Sequence, residues 1–311
     1  FLDKHLCPGF PNGDPIMQIV FTLQRLGAPH PYLKGVYTLD SCKDFTNNDL
    51  IYDENNTDLS QNEVDLMIKD FPGIPLSSKE QLISHLCNLQ RGEDKSDVLI
   101  RSFLNETAMI KAFGMLINSE DPDMIGGYNN FGFDDRYLAH RAEELSIKES
   151  FLTNLSRLKH DISNLCQPAQ AGRDDDKEQK VKKKMETHYL EIKGRVTFDI
   201  YRIIANSHIL PEYKLNSVCK HFLKKEKNDV PPTQIPILQR GSAEDRSLVA
   251  RYCIIDCILC NRLLSKLSII NNLVAMSNVS LVPIRYLLFR GQTIKGFSLI
   301  VKKCSQRGKI V

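Results

Sequence analysis

A short apolar segment that ends in glycines and leads into a helical pattern constrains the fold of this chain more than any other feature. Residues 124–128 read MIGGY, a strand-like run whose two glycines permit close approach of another stretch of backbone. Helical spacing of apolar residues resumes from 135 to 145. Asp134 therefore lies at a strand-to-helix turn, which is typical of proteins in which strands and helices alternate.

The rest of the pattern also predicts an α/β fold. Segments rich in β-branched and aromatic residues predict strands at 16–23, 32–39, 98–103 and 195–201. Apolar residues at helical spacing predict helices at 78–88, 106–119, 215–222 and 246–270.

The pattern changes in two places. The polar, asparagine-rich residues between 41 and 97 predict a surface insertion. Beyond Asn271, short apolar segments carry many basic residues, which predicts a domain boundary near that residue. The charge run at 172–184 mixes acids with lysines, so a solvated loop is favoured over a phosphate-binding patch.

Composition excludes several classes of protein. The 311 residues are 42% hydrophobic and 25% charged, which is typical of a folded globular protein. A net charge of +3 is too small for nucleic-acid binding by overall charge alone, so such a function would depend on local placement. No apolar run of about 18 residues predicts a membrane span. Nine cysteines without regular spacing favour a reducing, intracellular environment.

Three of these cysteines share one face of the predicted helix at 246–270. Cys253, Cys257 and Cys260 have the spacing i, i+4 and i+7. A structural zinc site needs a fourth Cys or His at suitable spacing, and none follows. Apolar core cysteines are therefore favoured over a zinc site.

Tyr252 and Asp256 lie one helical turn apart and point to the same side of that helix. A carboxylate can hold a hard divalent ion, and a phenol can orient a water molecule. Two such ions, about 3.5 to 4 Å apart, activate water and stabilise the leaving alkoxide in phosphodiester hydrolysis. Taken alone, the pair is more simply a core tyrosine and a surface acid, and Asp134 is more simply a helix N-cap.

Longer stretches around these residues resemble family B DNA polymerases. Residues 121–134, DPDMIGGYNNFGFD, resemble the second exonuclease motif of that family, and residues 252–256, YCIID, resemble its third, the YxxxD motif. Between them, GRVTFD at 194–199 and KLNSV at 214–218 resemble linking elements of the family. RGQTIK at 290–295 resembles the segment that enters the polymerase palm. These stretches follow the order of the family, and polymerases of the delta type and of large DNA viruses look most similar.

The resemblance implies an α/β, RNase H-like 3′-5′ exonuclease fold, a mixed sheet flanked by helices, over residues 1–270. It implies the start of a polymerase palm over residues 271–311. It also implies a site with two Mg²⁺ or Mn²⁺ ions, in which Asp134 and Asp256 are metal ligands. Tyr252 would orient the attacking water, so these three residues are the expected catalytic residues.

The first exonuclease motif of the family, a D-x-E on a strand, is not found where it is expected. The turn that usually follows it is present as GFP at 9–11 and DPI at 14–16. The D-x-E at 176–178 lies in the charge run and after the second motif, so we reject it as the first motif. The family's polymerase motifs that bind metal are not found either. We therefore expect the D-x-E to precede Phe1 and this piece to be inactive by itself.

Four residues are expected to contact DNA. Asn129 would contact the strand or stabilise a turn, with neither role favoured. Phe131 is open to stacking on an unpaired base, whereas core packing is favoured for Phe133. Arg290 and Lys295 lie in the palm-like segment, where primer-template would pass. We expect Asp199, in a predicted strand, to be a buried, hydrogen-bonded acid rather than a metal ligand.

The implied function is proofreading by a DNA-directed DNA polymerase, which acts on primer-template and single-stranded 3′ ends in DNA replication. A sliding clamp or processivity factor is a further expected partner, no membrane contact is expected, and the expected location is the nucleus or a viral replication site. The alternative is a non-catalytic, polymerase-like scaffold that binds DNA or a partner protein. A stand-alone nuclease is disfavoured by the palm-like segment.

Overall fold

The computed structural model describes residues 14–50, 97–158, 162–166, 188–224, 231, 233–290 and 292–309. Its strands are β1 (Gln18–Leu23), β2 (Leu33–Leu39), β3 (Asp97–Phe103), β4 (Met124–Gly127), β5 (Asn164–Cys166), β6 (Tyr189–Glu191) and β7 (Val196–Asp199). Its helices are α1 (Glu106–Glu120), α2 (Asp134–Glu144), α3 (Lys148–Leu155), α4 (Ile200–Ser207), α5 (Leu215–Leu223), α6 (Ile235–Arg240), α7 (Ala243–Lys266), α8 (Ile269–Ser280), α9 (Ile284–Phe289) and α10 (Thr293–Gln306). A 3₁₀ helix spans Asn47–Asp49.

The described strands pair in both directions. β1 and β2 are antiparallel, and β2 and β3 are parallel, so these three strands form a mixed sheet. β4 pairs with β7 in parallel, with Gly127 opposite Asp199. β5 and β6 form an antiparallel pair. This architecture, with helices around mixed strand pairs, is the α/β arrangement expected from the sequence.

The long helix α7 joins the parts of the structure. One of its faces packs on β1 and β2, where Ile254 and Ile258 form a buried cluster with Val36. Another face packs on α5 and α8, where Leu259 and Leu263 are buried. A third buried cluster lies between α1, α2, α3 and β6. The position of α7 therefore fixes where its polar residues meet the sheet.

Capping chemistry explains where α7 begins. Ser242 and Asp245 form a capping box, in which each side chain accepts a hydrogen bond from the backbone of the other. The helix therefore starts three residues before the predicted start at 246. It stops at Lys266, and Ser268 has a left-handed φ of 49° before α8 begins. Asn271, the predicted domain boundary, lies inside α8, so the nearest break in the chain is at residues 267–268.

Other sequence predictions are corrected at the element boundaries. The predicted strand at 195–201 ends at Asp199, because that side chain caps α4. Within the predicted insertion, the described residues 41–50 pack on the core, with Phe45 and Leu50 buried beside α7. The predicted helix at 78–88 and the charge run lie outside the described residues. None of the described helices combines the length and apolar character needed to cross a bilayer.

Candidate active-site cleft

A wide cleft brings the two predicted metal ligands to one surface. Asp134, the first residue of α2, and Asp256, in the middle of α7, both line it. β1 and β4 contribute further walls. The cleft has a volume of about 3230 Å³, whereas a small-molecule pocket measures about 300–1,000 Å³. The cleft is therefore much larger than a typical small-molecule pocket.

The loop between β4 and α2, residues 128–133, carries Asp134 and is called the motif loop below. Asn129 has a left-handed φ of 63°, and its carbonyl accepts hydrogen bonds from the backbone N–H groups of Gly132 at 3.0 Å and Phe133 at 3.2 Å. The hydroxyl of Tyr128 donates to the carbonyl of Tyr213 at 2.6 Å. The loop is thus a tight turn whose first residue, Tyr128, is held in place by a hydrogen bond. Of the two roles considered for Asn129, the turn is present in the structure.

Asp199, at the end of β7, accepts hydrogen bonds from the backbone of the motif loop. Its residue is 2% exposed, and its carboxylate accepts from the backbone N–H groups of Asn129 at 2.8 Å, Phe131 at 3.3 Å and Tyr201 at 2.9 Å. Burial raises the pKa of this carboxyl, while the three hydrogen bonds act in the opposite direction. The prediction of a buried, hydrogen-bonded acid is confirmed.

Asp134 faces the cleft at the start of α2. Phe133 occupies the N-cap position, so Asp134 is not the cap that the simpler interpretation of the sequence proposed. The residue is exposed to solvent in the cleft, yet the surrounding protein still desolvates its carboxyl group. This desolvation raises the pKa of Asp134 to about 6, and the negative charge of Asp199 adds to the rise. A bound cation would relieve this penalty.

The next acid along the chain, Asp135, has a different environment. It turns towards β6, where its Oδ2 accepts a hydrogen bond from the backbone N–H of Leu190 at 2.9 Å. Burial raises the pKa of Asp135 to about 7, and the charges of Asp134 and Asp199 contribute to the rise. Sequence reasoning did not single out Asp135, although successive helical residues are expected to point in directions about 100° apart.

The opposite wall of the cleft is the face of α7 that lies along β1. The thiol of Cys257 donates to the carbonyl of Val20 at 3.7 Å, and the amide of Asn261 donates to Thr22 Oγ1 at 2.9 Å. Burial raises the pKa of the Cys257 thiol, and the nearby charges of Asp256 and Asp134 add to the rise. The charges of both carboxylates therefore act on the same side chain.

Tyr252 does not join this wall. It lies one turn before Asp256 on α7 and is half-buried, but the described residues that line the cleft do not include it. Cys253, on the next position of the helix, lines the cleft instead. The role predicted for Tyr252, to orient water, therefore remains a prediction.

Of the two phenylalanines in the motif loop, Phe131 is the buried one and Phe133 is the one that lines the cleft. Phe131 is 3% exposed and lies against Tyr189 and Phe289, with ring centroids 5.4 and 5.9 Å away. Its ring therefore offers no open face to a base, and we withdraw it as a stacking residue. Phe133 lines the cleft and stacks on Tyr137 at 5.6 Å.

The other predicted DNA-binding residues lie in different places. Asn129 lines the cleft beside Asp134. Arg290 is exposed after α9, where its guanidinium lies 5.8 Å from the ring centre of Tyr286. Lys295 is in the first turn of α10. Among the described residues, Arg290 and Lys295 are not part of the cleft wall, so the structure does not bring them together with Asp134 and Asp256.

Carboxylate oxygens are the ligands that Mg²⁺ and Mn²⁺ prefer, so Asp134 and Asp256 fit a hard divalent ion in their chemistry. The desolvated carboxyl of Asp134, exposed to the cleft, is a suitable position for such an ion. Within the described part of the chain, no group of three or more His, Cys, Asp or Glu side chains is close enough to hold a metal. The described residues alone therefore do not form a complete metal site.

Comparisons with known proteins identify the family to which the chain belongs. The family described as "DNA polymerase family B, exonuclease domain" matches residues 4–218. A DNA polymerase of Pyramimonas orientalis virus is 28% identical over 357 residues, which cover 96% of this chain and 25% of the viral protein. The DNA polymerase delta catalytic subunits of Arabidopsis thaliana and Candida albicans are 33% and 30% identical, each over 96% of this chain and over 22% and 23% of their own length. The chain therefore spans about a quarter of the length of these curated relatives.

Proposed function

Because the chain belongs to the exonuclease-domain family of the family B DNA polymerases, we propose that it supplies the 3′-5′ exonuclease of a DNA-directed DNA polymerase. In this role it removes mispaired nucleotides from the 3′ end of a growing strand during DNA replication. The observation that carries the proposal is that Asp134 and Asp256, from elements far apart in the sequence, line one cleft. Synthesis of DNA would belong to the larger polymerase of which such a domain is part.

Asp134 and Asp256 would hold divalent ions, Mg²⁺ or Mn²⁺, through their carboxylate oxygens. When bound, such ions activate a water molecule and stabilise the oxygen that leaves as the phosphodiester is cleaved. The raised pKa of Asp134 supports this assignment, because a desolvated carboxylate gains most from a nearby cation. Tyr252 remains the candidate for orienting the attacking water, one helical turn from Asp256.

The unpaired 3′ end would enter the cleft beside the motif loop. Phe133 offers an aromatic ring there, and stacking on such rings is tolerant of base sequence. Asn129 would contact the strand from the same loop. Arg290 and Lys295 would contact primer-template outside the cleft, by charge rather than by reading bases. A sliding clamp or processivity factor is the proposed protein partner, at the nucleus or at a viral replication site.

The proposal is tested with the intact polymerase that contains this chain. A single-stranded oligonucleotide labelled at its 5′ end is incubated with Mg²⁺, and shortening from the 3′ end is followed over time. We expect Asp134→Ala and Asp256→Ala each to lower the rate by at least about 100-fold, because each removes a metal ligand. Primer extension by the same preparations should remain.

Glu143→Ala is the matched control for loss of an acid. Glu143 lies at the end of α2 opposite Asp134, outside the cleft wall, and its exposed carboxylate pairs with Lys148 at 2.9 Å. This variant should digest the oligonucleotide like the parent protein. An intact polymerase that binds the oligonucleotide but does not shorten it would contradict the proposal and support the non-catalytic scaffold.

A further inference from the structure

We propose that Asp199 is a positioning residue for the exonuclease reaction, which fixes the motif loop so that Asp134 faces the cleft in a single orientation. This inference rests on the proposed function. Asp199 itself is 2% exposed and is held among backbone groups, so it would not touch DNA or the reacting atoms. It would act through the loop.

The argument begins with the hydrogen bonds that its two oxygens accept. Oδ1 accepts from the backbone N–H groups of Asn129 at 2.8 Å and Tyr201 at 2.9 Å, and Oδ2 accepts from that of Phe131 at 3.3 Å. One side chain thus joins the end of β7, the start of α4 and two points of the motif loop. Hydrogen bonds to a charged acceptor are stronger than those between neutral groups.

A helix cap alone does not account for this arrangement. Capping α4 requires one acceptor for the N–H of Tyr201, which a serine, threonine or asparagine side chain can provide. The two bonds to the motif loop are additional, and they use both carboxylate oxygens. An aspartate is the short side chain that offers two acceptor oxygens and no donor.

The hydrogen bonds of Asp199 hold the motif loop where its backbone conformation is already constrained. Asn129 is held at a left-handed φ of 63°, and its carbonyl closes the turn by accepting from Gly132 and Phe133. A methyl group at Gly132 would lie 2.4 Å from Asn129 Oδ1, so the turn is tightly packed. Asp134 follows the turn directly. A change in the position of Asn129 or Phe131 is therefore passed to Asp134 within a few residues.

The test compares four variants of the intact polymerase. Asp199→Ala removes all three acceptor bonds, and Asp199→Asn keeps one oxygen but places an amide NH₂ next to an N–H donor. Asn105→Ala is a control for loss of a helix cap, because Asn105 Oδ1 accepts from the N–H of Ala108 at 2.8 Å at the start of α1. Asp134→Ala reports on the proposed function itself. For each variant, kcat and KM are measured on single-stranded DNA, and primer extension is measured on the same preparation.

We expect Asp199→Ala to lower the exonuclease kcat by about 100-fold, since a small displacement of a reacting group can have that effect. Asp199→Asn should lower kcat by about tenfold, because it keeps some of the bonds. KM for DNA and the rate of primer extension should change by less than about twofold, because Asp199 is buried among backbone groups and would touch neither DNA nor the groups that carry out synthesis. Asn105→Ala should leave all three quantities near those of the parent.

Two results would overturn the inference. In the first, Asp199→Ala keeps its exonuclease kcat within about twofold of the parent. In the second, exonuclease and primer extension fall together, which would show a general structural role. If Asp134→Ala retains exonuclease activity, the proposed function fails; if it loses activity and Asp199→Ala does not, only the positioning role fails.

Discussion

At the scale of single residues, three acids with raised pKa values surround the start of α2. Desolvation by the surrounding protein is the main cause for each of them, and it raises the pKa of Asp134 to about 6 and that of Asp135 to about 7. The pKa of Asp199 is also raised. A raised pKa means that the folded chain binds protons more tightly than the unfolded chain does. Ionisation of these acids therefore opposes folding when no cation compensates for it.

This gives a prediction for the pH dependence of stability without metal. Between about pH 7 and about pH 5, these three acids bind more protons in the folded state than in the unfolded state, so their contribution to the free energy of unfolding should rise as the pH falls. The lowered pKa of His140 acts in the opposite direction in this range. Acids with lowered pKa values, such as Asp121 beside Arg157, act in the opposite direction, but at lower pH. Urea unfolding at several pH values, with EDTA present, measures the slope.

Asp134→Asn serves as the comparison, because it removes one of the three acids at nearly constant size. It should make the chain more stable than the parent above about pH 7 and should flatten the slope below it. A slope that is the same in both proteins would contradict the assignment of the pKa shift to Asp134.

Local sequence predicted some of these residues and not others. The position of Asp134 at a strand-to-helix turn and the burial of Asp199 follow from the residues on either side of them. The burial of Phe131 and the position of Phe133 in the cleft do not follow from their neighbours, because both rings flank the same glycine. Which ring is buried depends on Tyr189 and Phe289, which are distant in the chain. A local pattern holds no information about such partners.

At the scale of elements, α9 packs on the motif loop. The ring of Phe289 stacks on Tyr189 at 4.5 Å and on Phe131 at 5.9 Å. From the same helix, Arg285 pairs with Glu191 of β6 at 2.6 Å. The segment predicted to begin a second domain is therefore in direct contact with the loop that carries Asp134.

We predict that Phe289→Ala lowers the free energy of unfolding by about 2 kcal/mol, because it removes a half-buried ring from two aromatic contacts. Phe297→Ala is the matched control: this ring lies on α10 and is 56% exposed. The control should change stability by less than about 0.5 kcal/mol. Urea denaturation of the three proteins measures the difference, and equal stability of Phe289→Ala and the parent would contradict the packing described here.

Element types were more predictable than element ends. The predicted strands near β1 to β4 and the helices near α1, α2, α5 and α7 are present, since long periodic patterns are strong signals. β7 ends early because Asp199 caps α4, and α7 starts early because of the box formed by Ser242 and Asp245. Short elements such as β5, β6 and α9 were not predicted, because three to six residues are too few to show a period.

At the scale of the whole molecule, the cleft depends on contacts between distant parts of the chain. Asp134 and Asp256 are separated by more than a hundred residues, and both line one cleft, beside which α7 packs along β1. The motifs in the sequence identified both acids. They did not indicate that Tyr252 lies outside the cleft wall. Whether Tyr252 faces the cleft depends on the rotation of α7 about its own axis. Packing on two sides of the helix sets that rotation.

We predict that the 311-residue chain alone digests single-stranded DNA at least about 100-fold more slowly than the intact polymerase, because no group of three or more metal-binding side chains comes together among the described residues. The measurement is the rate of 3′ shortening with Mg²⁺ and with Mn²⁺ at equal molar concentrations of the two proteins. Circular dichroism of the chain provides the control for folding. A rate for the chain equal to that of the polymerase would show that Asp134 and Asp256 suffice.

The stack of Phe289 on Phe131 and Tyr189 also sets a limit for protein engineering. A transplant of this unit into another polymerase that is cut near residue 271 would leave the ring of Phe131 uncovered and Glu191 without Arg285. The graft would then expose an apolar surface next to Asp134. A chimera joined after Arg290 would carry the stack with it and keep the motif loop packed.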